Sequence, residues 1–301
     1  MDPGIFYSIF AAFVWGVYIF TLKRYFPEYS GAVITVVVNA FAILCYLPVA
    51  AVTYDPAAVP SLGELGLNGI AIILGTGAFV GIAFILFVDA LDEGDVSYVA
   101  PINKLVPVFV LPIEILLLHQ VLSPLQIGGV VVATFAVYIA NYEGGDLFAP
   151  LARAARSRPA QLALASAAFY AASDVGKRVA LQELGMPTSV FVPTLFAVAG
   201  LTVLPFALRD WTPIRGSVMK FVGAGALVAL GEHVTSTAFG MVPASIASPI
   251  INTQAIVAVV LGGIILKESQ FALRLAAALL AVTGVSLIAV GDVATLVAFV
   301  N

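Results

Sequence analysis

The chain has one cysteine, two histidines and few charges, and each shortage excludes something. Cys45 has no second thiol to pair with, so there is no intramolecular disulfide framework and no compartment to read from one. His119 and His233, with that single cysteine, form no cluster at metal-ligand spacing, and no paired acidic motif for a metal or pyrophosphate is present. Neither G-x-S-x-G nor a P-loop occurs. Charged residues are 10% of the chain, where a soluble domain has roughly 25%. The net charge of −4 comes mostly from loop carboxylates and gives no nucleic-acid footprint. With 61% hydrophobic residues and a mean hydropathy of +1.09, a soluble protein of this length would lack the polar surface to cover itself. The sequence is that of an integral membrane protein.

What the chain does have is long apolar runs. A span needs about 20 apolar residues, and breaks at Gly, Pro and charge clusters leave ten: 4–22, 31–52, 66–88, 96–118, 122–141, 159–180, 187–208, 218–239, 244–266 and 271–290. Membrane β-strands are about 10 residues long and alternate in polarity, and these runs do neither. The expected fold is all-α, with ten transmembrane helices. The first span has no basic flank and no clear small-residue cleavage site, so it is expected to be a retained helix rather than a signal peptide.

The spans repeat. SYVAPINKLVPVFVLPIEILLL, from Ser97, aligns without a gap to SIASPIINTQAIVAVVLGGIIL, from Ser245, with Pro101 over Pro249 at an offset of 148 residues. FAAFVWG at 10–16 echoes SAAFYAA at 166–172, and LPVAAV at 47–52 echoes LPFALR at 204–209. The polar stretch near the middle divides a first repeat, 1–142, from a second, 159–301, with a linker at 143–158. Five spans per half is an odd number, so the second half enters the membrane upside down: two inverted five-helix repeats, an architecture that places a small-molecule site between the halves. Ten of the 13 Lys and Arg fall in loops opposite the termini, and the positive-inside rule puts those loops in the cytoplasm.

Ionisable groups in hydrocarbon cost at least about 2.5–3.5 kcal/mol on insertion scales, so they face a cavity. Lys104, beside Asn103 and between Pro101 and Pro107, is too deep to snorkel easily, and its repeat equivalent is Asn252. Lys104, Asn103 and Asn252 are expected to line a substrate cavity, Lys104 attracting an anionic group; the alternative is a packing ion pair. Asp174 either points into that cavity on one stripe with Tyr170 or pairs along its own helix with Lys177 and Arg178. Glu114 is close enough to a loop to reach the headgroups. Glu232 and His233 are candidate proton carriers, although adjacent residues point about 100° apart. Trp15, Tyr98 and Tyr170 are expected as aromatic walls, with Tyr18 beside them. Gly75-x-Gly77-x-x-x-Gly81 and Gly223-x-Gly225 mark close helix contacts.

VSYVAPINKLVPVFV at 96–110 and IASPIINTQAIVAVVLGGIILKE at 246–268 resemble the fourth and ninth helices of the drug/metabolite transporter superfamily, EamA type. Glu268 matches that family's closing acid, whereas His119-Gln120 stands where Gly-Glu is common. The resemblance covers essentially the whole chain. It implies a secondary transporter without a nucleotide-binding domain, moving small metabolites or drugs, often outward. It also implies cytoplasmic termini, opposite to the charge count. The expected protein is thus a transporter of a small organic metabolite, such as an amino acid or drug-like compound, by alternating access in the cell membrane. It has a small-molecule substrate and a lipid bilayer as partners, no nucleic acid and no cofactor, and it is sufficient as a monomer. A non-transporting receptor or assembly subunit, or an intramembrane enzyme, is the alternative.

Overall fold

The computed structural model describes residues 3–106, 156–241, 250–267 and 271–290, with scattered positions between 108 and 139. Glu114, His119, Gln120, Glu268, most of the expected span 122–141 and nearly all of the linker 143–158 lie outside the described residues. Every described element is helical. In chain order they are α1 (Pro3–Tyr25), α2 (Gly31–Thr53), α3 (Leu62–Glu93), α4 (Val96–Asn103), α5 (Arg158–Arg178), α6 (Thr188–Arg209), α7 (Val218–Met241), α8 (Gln254–Ile265) and α9 (Phe271–Val290).

Local chemistry sets the boundaries. Ser30 caps α2, its Oγ accepting from Val33 N at 3.4 Å. Ser61 and Glu64 form a capping box at the head of α3: Ser61 N donates to Glu64 Oε2 at 2.7 Å, and Glu64 N donates to Ser61 Oγ at 3.3 Å. That box starts the helix four residues before the expected span, and Gly66, at φ 59° and ψ −179°, kinks the capped turn away from the rest. Ser157 caps α5 with Pro159 in its first turn.

Among the described residues, five stretches are long and apolar enough to span a membrane: Pro3–Tyr25, Gly31–Thr53, Leu62–Glu93, Thr188–Arg209 and Arg215–Phe239. The apolar segments Ile250–Ile265 and Phe271–Gly284 are shorter. α5 is of spanning length, but Gln161, Ser166, Ser173, Asp174 and its terminal basic residues make it less apolar than its neighbours. Its small residues are spent on contact instead. Ala163, Ala167 and Ala171 lie one turn apart, fully buried, and α5 packs closely on α3.

The packing between halves maps onto itself when the halves are exchanged. α2 lies on α6. The contact of α1 with α7 mirrors that of α3 with α5, and that of α2 with α7 mirrors α3 with α6. The end of α1 and the start of α5 adjoin the same corner, where α3 ends and α4 and α9 begin. Phe221, at the start of α7, packs tilted against Phe26 and edge-on to Tyr29, with ring centres 4.7 and 5.0 Å apart.

The fourth and ninth spans are interrupted at the same repeat offset. Leu105 N bonds Ile102 O at 3.2 Å and Val108 N bonds Leu105 O at 2.9 Å; 148 residues on, Thr253 N bonds Ile250 O at 3.1 Å and Ile256 N bonds Thr253 O at 2.9 Å. The ladder tightens from i→i−4 to i→i−3 at equivalent positions.

Lipid offers helices no hydrophobic reason to associate, so close packing at small residues does that work. A Cβ on Gly225 would meet Phe41 Cβ at 2.6 Å and Ala42 N at 2.9 Å, and one on Gly77 would meet Val198 Cβ at 2.6 Å. Gly81 also touches α6, whereas Gly75 and Gly223 face open space. Gly225→Ala is therefore expected to cost about 1–3 kcal/mol through overpacking. Gly223→Ala should be neutral or gain up to about 1 kcal/mol of helix propensity. Thermal unfolding of the two variants in detergent, with opposite or unequal shifts, checks the assignment.

Candidate functional site

Residues of α1, α2, α3, α5, α6 and α7, with positions flanking both helix breaks, line a cavity between the halves. Its water-accessible space is about 140 Å³, roughly ten times what one water molecule needs. Both repeats build it with the same helix face. Val80, Phe84 and Phe87 of α3 and Val228, Glu232 and Thr235 of α7 stand 148 residues apart, and all six line it. So do Lys104 and Asn252, at the two breaks.

Four ionisable side chains face this space: Lys104, Asp174, Lys177 and Glu232. Two neutralise each other. Lys177 Nζ lies 2.9 Å from Glu232 Oε1 and 3.2 Å from Oε2, with the side chains 13% and 6% exposed. Asp174 is therefore not held by an ion pair along its own helix to Lys177, which reaches across to α7 instead. Among the described residues, neither Asp174 nor Lys104 has an ion-pair partner within 4.0 Å. Lys104 leans on aromatic faces, its Nζ 5.3 Å from the ring centre of Tyr170 and 5.7 Å from that of Phe87.

Trp15 is a wall residue fixed at both faces. Its indole N–H donates to Thr235 Oγ1 at 2.9 Å, and Gly231 leaves room for the ring, since a Cβ there would meet Trp15 Cε2 at 2.9 Å. Tyr18 packs edge-on to Trp15, with ring centres 5.9 Å apart. Tyr170 also lines the cavity.

Three of the expected residues stand outside this lining. Tyr98 lies two turns before the break, where its hydroxyl donates to Ser157 Oγ at 3.1 Å. Asn103 is fully buried and turned toward α5, its Nδ2 donating to Ser166 Oγ at 2.8 Å, while Ser166 Oγ donates to Ala83 O at 2.6 Å. His233 points away from Glu232 toward α2, with Nδ1 3.1 Å from the Tyr46 hydroxyl. Asn103 and His233, the neighbours of Lys104 and Glu232, thus serve packing, as the 100° step along a helix allows.

Asn39, Gln254 and Phe84 line the cavity without having been singled out in the sequence. Asn39 is a polar side chain eight residues into an apolar span, the same signal that marked Lys104. Phe84 has one only through its repeat counterpart Glu232.

The family model described as "EamA-like transporter family" matches residues 2–142 and 158–290, one match on each half. The chain belongs to the EamA-like transporter family. No curated protein matches it. A solved structure described only as "Crystal structure of protein" aligns over 98% of this chain and 96% of its own, at 15% identity and a TM-score of 0.62, and so shares the fold. Membership makes this a membrane transporter with a small-molecule substrate and two repeats.

Removing one member of the cavity ion pair leaves the other buried without its counter-charge. Glu232→Gln is expected to destabilise the protein by about 3–5 kcal/mol, and Lys177→Met with Glu232→Leu to restore most of the loss. Detergent melting curves of the single and double variants provide the comparison.

Proposed function

We propose that this EamA-family protein is a secondary transporter whose ten helices form two inverted five-helix repeats, residues 1–142 and 159–301. These rock around the central cavity to expose it to each face in turn. The antisymmetric pairing of helices and the matching breaks at 102–108 and 250–256 support that arrangement.

One observation supports the substrate reading most. In a cavity where Lys177 and Glu232 cancel, the Lys104 ammonium and the Asp174 carboxylate stand without ion-pair partners among the described residues. Uncompensated charge in such a place is expensive, and a solute supplying the opposite charge at either group relieves the cost. Lys104 receives an anionic group, such as a carboxylate, and Asp174 a cationic one; the apolar body lies against Trp15, Tyr170, Phe84 and Phe87. A small amino acid or drug-like metabolite meets that description. Asn252 completes the polar floor opposite Lys104. Glu232, once released from Lys177, or His233 beside it, is the proposed carrier of a coupling proton. A single chain supplies every wall, so a monomer in the cell membrane suffices.

Lys104→Ala is expected to abolish solute flux in reconstituted vesicles, a loss of at least about a hundredfold for a charge-assisted contact of roughly 3 kcal/mol, with expression and melting temperature intact. Normal flux in that variant reduces Lys104 to packing. A screen of thermal shifts against amino acids, nucleosides, phosphorylated sugars and cationic drugs identifies the solute to be used.

A further inference from the structure

The corner where α3 passes into α4 carries ties that the cavity does not explain. Asp95 occupies the capping position of α4, where an aspartate ordinarily accepts a hydrogen bond from the first turn. It makes no such bond. Its Oδ2 accepts instead from Arg274 Nη1 at 2.5 Å, and the same Nη1 donates to Ser97 Oγ at 2.9 Å. The guanidinium carbon lies 5.8 Å from the ring centre of Tyr98. Arg274 is the fourth residue of α9, near the helix end that disfavours a cation. Both partners forgo local stabilisation for a contact between the halves. The Arg274 and Asp95 side chains are 12% and 39% exposed, whereas those of the neighbouring Arg158–Glu93 pair at 2.9 Å are 75% and 38% exposed, so the two pairs differ in the burial of the arginine and the second holds little.

The element held this way is Val96–Asn103, one short rod. Its far end is the break at Lys104 and Leu105, and Lys104 borders the cavity. The rod is tied to α9 by the ion pair and to α5 through Asn103 and Ser166, and the break beyond it uncouples it from the segment that follows, so release of the ion pair frees it to move with α5 as a unit. The repeat supplies no equal at the opposite face, because residues 241–266 contain no charged side chain at all.

We propose that Val96–Asn103 is the gate on the face bearing residues 92–98 and that Arg274 is its latch, releasing Asp95 when the cavity opens to that face. This rests on the alternating-access reading above, but its test needs no substrate.

In a Cys45→Ala background, a cysteine at Thr35, which lines the cavity, reports access of a membrane-impermeant maleimide applied to either side of vesicles. Arg274→Gln and Asp95→Asn are expected to raise labelling from the side of residues 92–98 about tenfold, the shift expected from losing one partly buried pair, without raising it from the other side. The exchange Asp95→Arg with Arg274→Asp returns the rate toward its starting value, and Arg158→Gln changes it less than about twofold. Should the single variants fail to fold, cysteines at 95 and 274 joined by a short bis-maleimide are expected to suppress labelling from that side. Labelling that rises equally from both sides, an exchange variant that stays open, or a cross-link without effect overturns the latch. Labelling that follows the latch in a protein that moves no solute overturns the transporter reading and leaves the gate standing.

Discussion

In hydrocarbon a backbone amide or carbonyl that loses its helical partner has no water to turn to, so a helix can be interrupted only against protein or beside a wet cavity. This chain interrupts two helices at the same depth, and the interruptions share their hydrogen bonds residue for residue. Val108 N bonds Leu105 O rather than Lys104 O, and Ile256 N bonds Thr253 O rather than Asn252 O. Lys104 and Asn252 are therefore the residues at which each helix departs from its regular path, and both border the cavity. Proline prepares the first break: Pro107 has no N–H to give to Asn103. The second copy has Ala255 in the matching place and tightens in the same way.

The cavity's polar content follows from what the breaks permit. Four ionisable groups at about 2.5–3.5 kcal/mol each on insertion scales exceed what packing alone would retain, unless compensated. Lys177 and Glu232 compensate each other, and two aromatic faces soften the isolation of Lys104. The aromatic wall has a second role. Trp15 is held by one hydrogen bond and by the missing side chain at Gly231, so it bounds the space without filling it.

Much of this was legible in the sequence because hydrocarbon leaves so few options. Apolar runs gave α1, α2, α6 and α7 within a few residues of their ends, and the prolines around Lys104 marked the first break, while the second carried no such pair. Energetic cost pointed to Lys104, Asp174 and Glu232, and all three line the cavity. What stayed hidden depends on rotation about a helix axis. Asn103 and His233 are one step from lining residues and were grouped with them, yet each turns to a neighbouring helix. Tyr98 read as an aromatic wall because its distance from Lys104 along α4 does not show which way a ring faces. The ion pair of Lys177 was invisible for a further reason: its nearest acid in sequence is Asp174, and its actual partner lies 55 residues on. Glycine spacing likewise predicted contact at five positions, of which Gly77, Gly81 and Gly225 make it; spacing fixes the stripe, not the side that meets a neighbour.

The repeats are alike as scaffolds and unlike as chemistry. Equivalent positions carry Phe84 and Glu232, Phe87 and Thr235, or Lys104 and Asn252, so the second half's α7 brings polarity where the first half's α3 brings rings. A strictly symmetric pair of halves would give two end states of equal energy, each the mirror of the other. Unequal side chains on equal backbones lift that degeneracy, because exchanging which face is closed no longer exchanges identical contacts. The difference resides in a few polar groups, each worth about a kcal/mol or so. In the proposed alternating-access cycle, that is the scale at which both states would stay populated and a bound solute could shift the balance between them.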